Sequence, residues 1–271
     1  MKRLLFLLLW CCTTIALSGQ NGAPIIAGAK GAAMGNASVS FTDINSIFSN
    51  QAGLAYLQET AVILVGQRRF QNADINSYAI GAAYPTNSGT FGLNLQYYGF
   101  DVFNEQKIGL SYARKLFDRL AIGAQVDYLT TRIPEYGSAA NLTFEFGVHS
   151  QIMEDFFLAA QVYSPIQVDI NETDQLPTIF KLGIAYNFSE KLAMHLEGEK
   201  DLDFPTMFKV GFQYQVVSAF YLRAGISTNP SLWSFGLAYE MKNGLSFDIA
   251  SSYHQILGVS PAISIRYQFK K

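Results

Sequence analysis

From about residue 61 onward, apolar side chains recur at every second position. Phe91, Leu93, Leu95 and Tyr97 alternate with Gly92, Asn94 and Gln96. Leu142, Phe144, Phe146 and Val148 alternate with Thr143, Glu145, Gly147 and His149. Phe180 to Phe188 and Ile263 to Phe269 repeat the pattern. Successive side chains of a strand point to opposite faces, so each segment has one greasy face and one polar or small face. The pattern predicts fourteen strands, over about 61–70, 77–84, 89–98, 105–114, 119–130, 140–150, 155–163, 177–188, 191–199, 206–216, 219–227, 231–241, 244–254 and 260–270. Each is close to the roughly 9–11 residues that a tilted membrane strand needs.

A soluble sandwich also alternates, and three features separate the two. The number of segments is even, as in bacterial membrane barrels. Connections after even segments are short, for example Lys115–Asp118 and Val217–Ser218, and several after odd segments are longer: Gly99–Asn104, Thr131–Ala139 and Ser164–Leu176. Short periplasmic turns and longer outer loops mark this class. Aromatic residues close the greasy faces: Tyr84, Tyr112, Tyr186, Tyr214, Tyr239 and Tyr267 on even segments, Tyr97 and Tyr128 on odd ones. Such rings are most stable at the headgroup boundary, so two girdles are expected. The last strand is aromatic, Tyr267-Gln-Phe269, the kind of ending that barrel-assembly machinery reads, here followed by two lysines.

The first residues form a different pattern. Met1-Lys2-Arg3 is a basic start, Leu4 to Trp10 an apolar run, and Ala16-Leu17-Ser18 a small-residue site, so residues 1–19 read as a secretory signal peptide cut near Ser18 to Gln20. The apolar run is too short to span a bilayer. Without residues 1–19 the chain has 17 basic and 21 acidic residues, a formal charge of −4, and no cysteine, because Cys11 and Cys12 leave with the signal. Disulfides and thiolate metal sites are therefore excluded. Only 15% of the 271 residues are charged, and 38 are aromatic. No basic run offers a footprint for nucleic acid.

The polar faces carry sparse charges of both signs: Lys107, Asp127, Glu145, Lys181, Glu197, Lys209, Arg223, Glu240, Asp248 and Arg266. These are prohibitive against lipid, so they are expected to face a lumen and pair there. Of the three histidines, His149, His195 and His254 all fall on the polar face by parity. None sits in a nucleophile motif, although Ser252 shares a face with His254. Asp169, Glu172 and Asp174 lack the spacing of a calcium loop. No catalytic, cofactor or metal-ligating residue is assigned, and no enzyme activity is expected.

Residues 20–60 do not alternate. Ala27 to Gly35 is rich in glycine and alanine, and a phosphate-cradling role lacks the preceding strand such a loop requires. Ala29-Lys-Gly31-Ala32-Ala-Met-Gly35-Asn-Ala-Ser-Val39, followed by Ser49-Asn50-Gln-Ala52-Gly53-Leu54, resembles the opening of the long-chain fatty-acid transporter (FadL) superfamily, closest to its PorV/PorQ branch in Bacteroidetes. Lys30 replaces the usual Arg of that motif, and Gln51 its Pro. The resemblance implies an all-β outer-membrane barrel of fourteen strands over residues 61–271, with residues 20–60 as a plug in the lumen. Its motif residues would be Gly31, Ala32, Gly35, Asn50, Ala52 and Gly53. The superfamily implies a channel for hydrophobic ligands. The PorV branch implies a scaffold or shuttle, with envelope or type IX secretion proteins as partners beside the membrane lipid. A lumen face of Gly, Ala, Ser, Gln and charges disfavours a fatty-acid pocket and favours the scaffold.

Overall fold

A computed structural model describes residues 27–72, 75–134, 137–166, 168 and 175–269. The proposed signal peptide and the acidic cluster at Asp169, Glu172 and Asp174 lie outside the described residues. Fourteen antiparallel strands close into one barrel. They are β1 Ala61–Arg68, β2 Asn76–Thr86, β3 Gly89–Phe100, β4 Phe103–Phe117, β5 Leu120–Ile133, β6 Gly137–Met153 and β7 Phe156–Tyr163. β8 Ile179–Asn187, β9 Leu192–Asp201, β10 Met207–Val217, β11 Phe220–Ser227, β12 Leu232–Glu240, β13 Leu245–His254 and β14 Gly258–Gln268 complete the ring. Each strand pairs with its sequence neighbours, and β1 meets β14 with Ala61 opposite Gln268 and Gln67 opposite Ala262.

Burial is inside out relative to a water-soluble protein. Leu110 and Phe235 are each 63% exposed on the outer wall, whereas Asp127 and Asp248 are fully buried inside. Such an outer wall is stable only in a hydrocarbon medium, where closure also leaves no unpaired strand edge. Among the described residues no helix is long and apolar enough to cross a membrane.

The expected outer loops at 99–104 and 131–139 need correction. β3 and β4 run on until Phe100 faces Phe103, and β5 and β6 until Ile133 faces Gly137. Thr, Ala and Asn at 130–131 and 139–141 keep the ladder without a greasy face. The loss of alternation there marks departure from the bilayer rather than the end of the strand. At the other end of the barrel, β4, β6 and β10 each finish on a bulge, between Lys115 and Phe117, Gln151 and Met153, and Gln215 and Val217.

Before β1 lies a compact segment, Ala27 to Leu57. It holds one short helix, α1 Gly28–Ala33, and two 3-10 turns, Ile44–Phe48 and Gln51–Tyr56. Asp43 caps the first turn, accepting from the Asn45 N–H at 2.8 Å, and Asn50 caps the second, accepting from the Ala52 N–H at 3.1 Å. Ile44, Ile47, Phe48 and Leu54 pack with Ala61, Ile63, Val65, Ala79, Ala83 and Ala113 of the wall. Ala29, Ala32 and Ala33 pack with Ala250 and Ala262.

Candidate functional site: the lumen

The segment 27–57 touches the inner wall almost all the way round. The Ala29 N–H donates to Ser264 Oγ at 2.8 Å, and Asn94 donates its side-chain N–H to the Ile47 carbonyl at 3.2 Å. The Asn50 side chain donates to three carbonyls, Val39 in its own segment and Val148 and Ala160 in the wall. Glu197 takes a central place. Its Oε2 accepts from the N–H groups of Ser38 at 2.7 Å and Val39 at 2.8 Å, while Oε1 accepts from Lys209 Nζ at 2.8 Å. Gln51, standing where the family motif has Pro, donates to Glu145 Oε2 at 2.7 Å.

The motif residues divide into two groups on opposite sides of the ring, because α1 packs on β11 to β14 and the second 3-10 turn on β4 to β6. In the first group, the Gly31 carbonyl accepts from the Met34 and Asn36 N–H groups, both at 2.9 Å. Ala32 is buried in the alanine cluster. Gly35 has φ +64°, and a Cβ there would lie 2.6 Å from the Ile226 carbonyl oxygen. That left-handed conformation and close approach admit only glycine. In the second group, Asn50 and Ala52 form the cap just described, and a Cβ on Gly53 would meet the Phe41 carbonyl oxygen at 2.1 Å. The glycines of the first segment make close packing.

All ten expected lumen charges face inward, and each has an opposite partner. Lys107 bridges Asp127 at 3.3 Å and also pairs with Glu145. Lys209 contacts Glu197 at 2.8 Å and Glu199 at 2.6 Å, and Lys181 reaches Glu199 at 3.7 Å. Arg223 pairs with Asp248, while Arg266 joins Asp248 at 2.9 Å to Glu240 at 3.1 Å. Glu199, which completes the second group, follows the parity of Glu197 but lies outside the sequence set, as do the buried Glu105 and Asp201. Inside the segment, Lys30 pairs with Asp43 at 2.7 Å and lies 4.4 Å from the Phe41 ring centre. Burial pushes the Lys30 ammonium down, and Asp43 offsets this only in part. Burial alone would raise the Asp43 carboxyl, but Lys30 and Arg266 together hold it below the usual carboxylate range.

The histidines serve structure. His195 Nδ1 and Ser40 Oγ are 2.8 Å apart, with Phe41 edge-on to the ring. His149 meets the Ser40 carbonyl at 3.3 Å and Tyr56 Oη at 3.2 Å. His254 Nδ1 accepts the N–H groups of Ile256 and Leu257, both at 3.1 Å, and so holds the last outer turn. Ser252 and His254 line the same cavity.

That cavity, about 370 Å³, opens at the loop end of the lumen. The segment supplies part of its lining through Asn36, Ser38 and Phe48. The wall adds apolar Phe70, Met207 and Leu232 beside Arg69, Lys181 and Lys209. Phe70 and Gln71 both hold positive φ, 55° and 53°, and the Phe70 N–H is fixed by Ser260 Oγ at 2.9 Å. A bulky residue in that conformation is uncommon, and here it folds the β1–β2 connection over the mouth.

No family model matches the chain, and no curated protein matches it in sequence. Solved structures do match in shape. The toluene transporter TbuX of Ralstonia pickettii superposes with a TM-score of 0.73 at 14% identity, covering 90% of this chain and 98% of that one. The toluene transporter TodX of Pseudomonas putida gives 0.70 at 13%, over 88% and 96%. A FadL homologue of Pseudomonas aeruginosa gives 0.66 at 13%, over 90% and 98%. At such identities the likeness establishes the fold alone: a closed antiparallel barrel of fourteen strands that resembles the barrels of these proteins.

Proposed function

We propose that this chain is an outer-membrane channel for small hydrophobic molecules, with the segment 27–57 acting as the plug that closes its lumen. The observation that carries this reading is the mixed cavity at the outer mouth. Its 370 Å³ falls at the lower end of the roughly 300–1,000 Å³ usual for small-ligand sites, and the closing segment forms part of its lining. The structural likeness to toluene transporters supports the channel more than the scaffold that lumen polarity favours in the sequence. No enzymatic step is proposed.

The test is electrical and chemical. Planar-bilayer recording of the intact protein should show little conductance, with clear openings once residues 20–60 are deleted. Cells that carry the protein should take up a monoaromatic hydrocarbon faster than cells that lack it. Large steady conductance in the intact protein, or equal hydrocarbon uptake, refutes the reading.

A second reading keeps one observation on its side. Around Lys107, Lys209 and Arg223 the inner wall carries a set of buried ion pairs. A closed barrel of this kind suits a PorV/PorQ-like scaffold working with secretion proteins. Native pull-down of a stoichiometric envelope partner, together with unchanged hydrocarbon uptake, would favour it.

A further inference from the structure

Two cavities flank the N-terminal segment, one at each end of the lumen. The larger, about 370 Å³, is the one at the outer mouth, and Phe48 lines it. A smaller one, about 130 Å³, opens at the even-turn end beside Leu57, Ala61 and Tyr267, and Ile44 lines it. Ile44 and Phe48 are the first and last residues of one 3-10 turn, with Ile47 fully buried between them. At about 2 Å per residue the turn is about 8 Å long, so a single turn keeps the cavities apart. The wall behind it differs from most of the ring. The inner faces of β1, β2 and β3 carry no charged side chain, and the ion pairs described above lie on β4 to β6, on β8 to β14 or within the segment. Ile63, Val65, Ala79 and Ala83 instead pack with Ile44, Ile47 and Phe48 in one apolar cluster, which reaches Ala61 and Leu57 of the smaller cavity. Among the described residues one hydrogen bond ties the turn to the wall, from the Asn94 side chain to the Ile47 carbonyl. The other ties lie on either side of the turn in sequence, at Ala29, Ser38, Val39 and Asn50.

We propose that a hydrophobic solute crosses the barrel along this sector, between the Ile44–Phe48 turn and β1 to β3, and that Ile47 and Phe48 set what passes. The route rests on the channel reading above and runs from one mouth of the barrel to the other. Apolar contact is non-directional, so the turn can part from this wall at the cost of one hydrogen bond. A greasy solute that slips between them keeps both surfaces out of water. A charged solute would have to shed its water there without gaining a partner, which is expensive. The ion-paired sectors behave in the opposite way. Opening the seam between Glu197 and the Ser38 and Val39 amides would strip a buried carboxylate of two donors, a larger loss than one neutral hydrogen bond. The turn therefore moves while the remainder of the segment stays docked.

Disulfide trapping tests it, in the full-length protein with C11S/C12S so that no other cysteine is present. A Cβ on Gly81 would lie 2.8 Å from Ile47 Cγ2, and one on Gly183 would lie 2.4 Å from Val39 Cγ1. I47C/G81C and V39C/G183C therefore both bring sulfur atoms within disulfide reach. The first pins the turn to β2, and the second pins the segment to β8. Both are checked for heat-modifiable mobility and for crosslinking, and uptake of labelled benzene by cells is measured before and after reduction. Crosslinked I47C/G81C should fall to the level of cells that lack the protein and recover on reduction, whereas crosslinked V39C/G183C should keep the unmodified rate. F48A, which needs no crosslink, should raise uptake several-fold. Equal block by both crosslinks would mean that the whole segment must leave, and would overturn the proposal. Full uptake through crosslinked I47C/G81C, or an unchanged rate in F48A, would place the route elsewhere and overturn it too. Absence of benzene uptake by the unmodified protein would overturn the channel reading and the route together.

Discussion

Replacing Glu197 by Ala should loosen the N-terminal segment without opening the barrel ladder. The carboxylate accepts two backbone N–H groups, from Ser38 and Val39, and one Lys209 ammonium, all at 2.7–2.8 Å and in a buried place. Hydrogen bonds to a charged group contribute about 1.5–3 kcal/mol each. Removing one partner of a buried pair typically costs about 3–5 kcal/mol. Lys209 keeps Glu199 at 2.6 Å, so its charge is not abandoned. The loss therefore falls on the two amides, and docking of the segment should weaken by about 3–5 kcal/mol. At about 1.4 kcal/mol per decade, the undocked fraction should rise roughly a hundred- to a few thousandfold. Single-channel recording would show this as frequent openings over a quiet baseline. Limited proteolysis would cut within 27–57 while the barrel keeps its heat-modifiable mobility. Glu197→Gln keeps an acceptor for the amides and should lie between wild type and Glu197→Ala. Wild-type silence and protease resistance in Glu197→Ala would refute the assignment of Glu197 as the main tie between segment and wall.

Four further outcomes are expected. Leu95→Arg should destabilise the refolded barrel by about 2–4 kcal/mol in denaturant titrations, whereas Gln96→Arg should cost less. Glu145→Arg should be severe despite its inward parity, since it sets a cation beside Lys107 and frees Gln51, Gln125 and Gln161. The Asp43 carboxyl is held below its ordinary 3.8, so its ion pair with Lys30 contributes fully to docking above about pH 4, as long as Lys30 stays protonated, and fades as pH falls from there through the lowered value. Pepsin cleavage within 27–57 should therefore stay flat down to about pH 4 and rise below it, and Asp43→Asn should flatten the rise. Gly225→Ala would place a Cβ 2.2 Å from the Met34 carbonyl carbon. It should displace α1 at a cost of about 1–3 kcal/mol, read as faster proteolysis of the segment with the barrel intact.

The number of strands and the facing of their side chains were legible because period-two alternation runs through some two hundred residues. Asn94 inside and Leu95 outside follow from parity alone. The strand ends were less legible, because hydrogen-bond ladders do not need greasy residues. Thr130, Thr131 and Ala139 continue β5 and β6 where the hydropathy pattern stops. Bulges hid as well, since Leu116-Phe117 reads as a broken alternation and only the register shows the extra residue. The partners of the first segment were out of reach for a different reason. Asn50 meets Val148 and Ala160, and Ser40 meets His195, only because the ring closes around them. Glu145 looked like an ordinary lumen charge until three glutamine side chains and Lys107 converged on it.

The ties of the segment also order events in time. Ala29 bonds Ser264 across 235 positions, Val39 bonds Glu197 across 158, and Asn50 bonds Val148 across 98. Contacts so distant in sequence form slowly, because long loops must close before they yield any energy. The receptor for residues 27–57 is the finished ring, and it does not exist while any strand is missing. A stretch that precedes every strand in the sequence is thus the last to find its place.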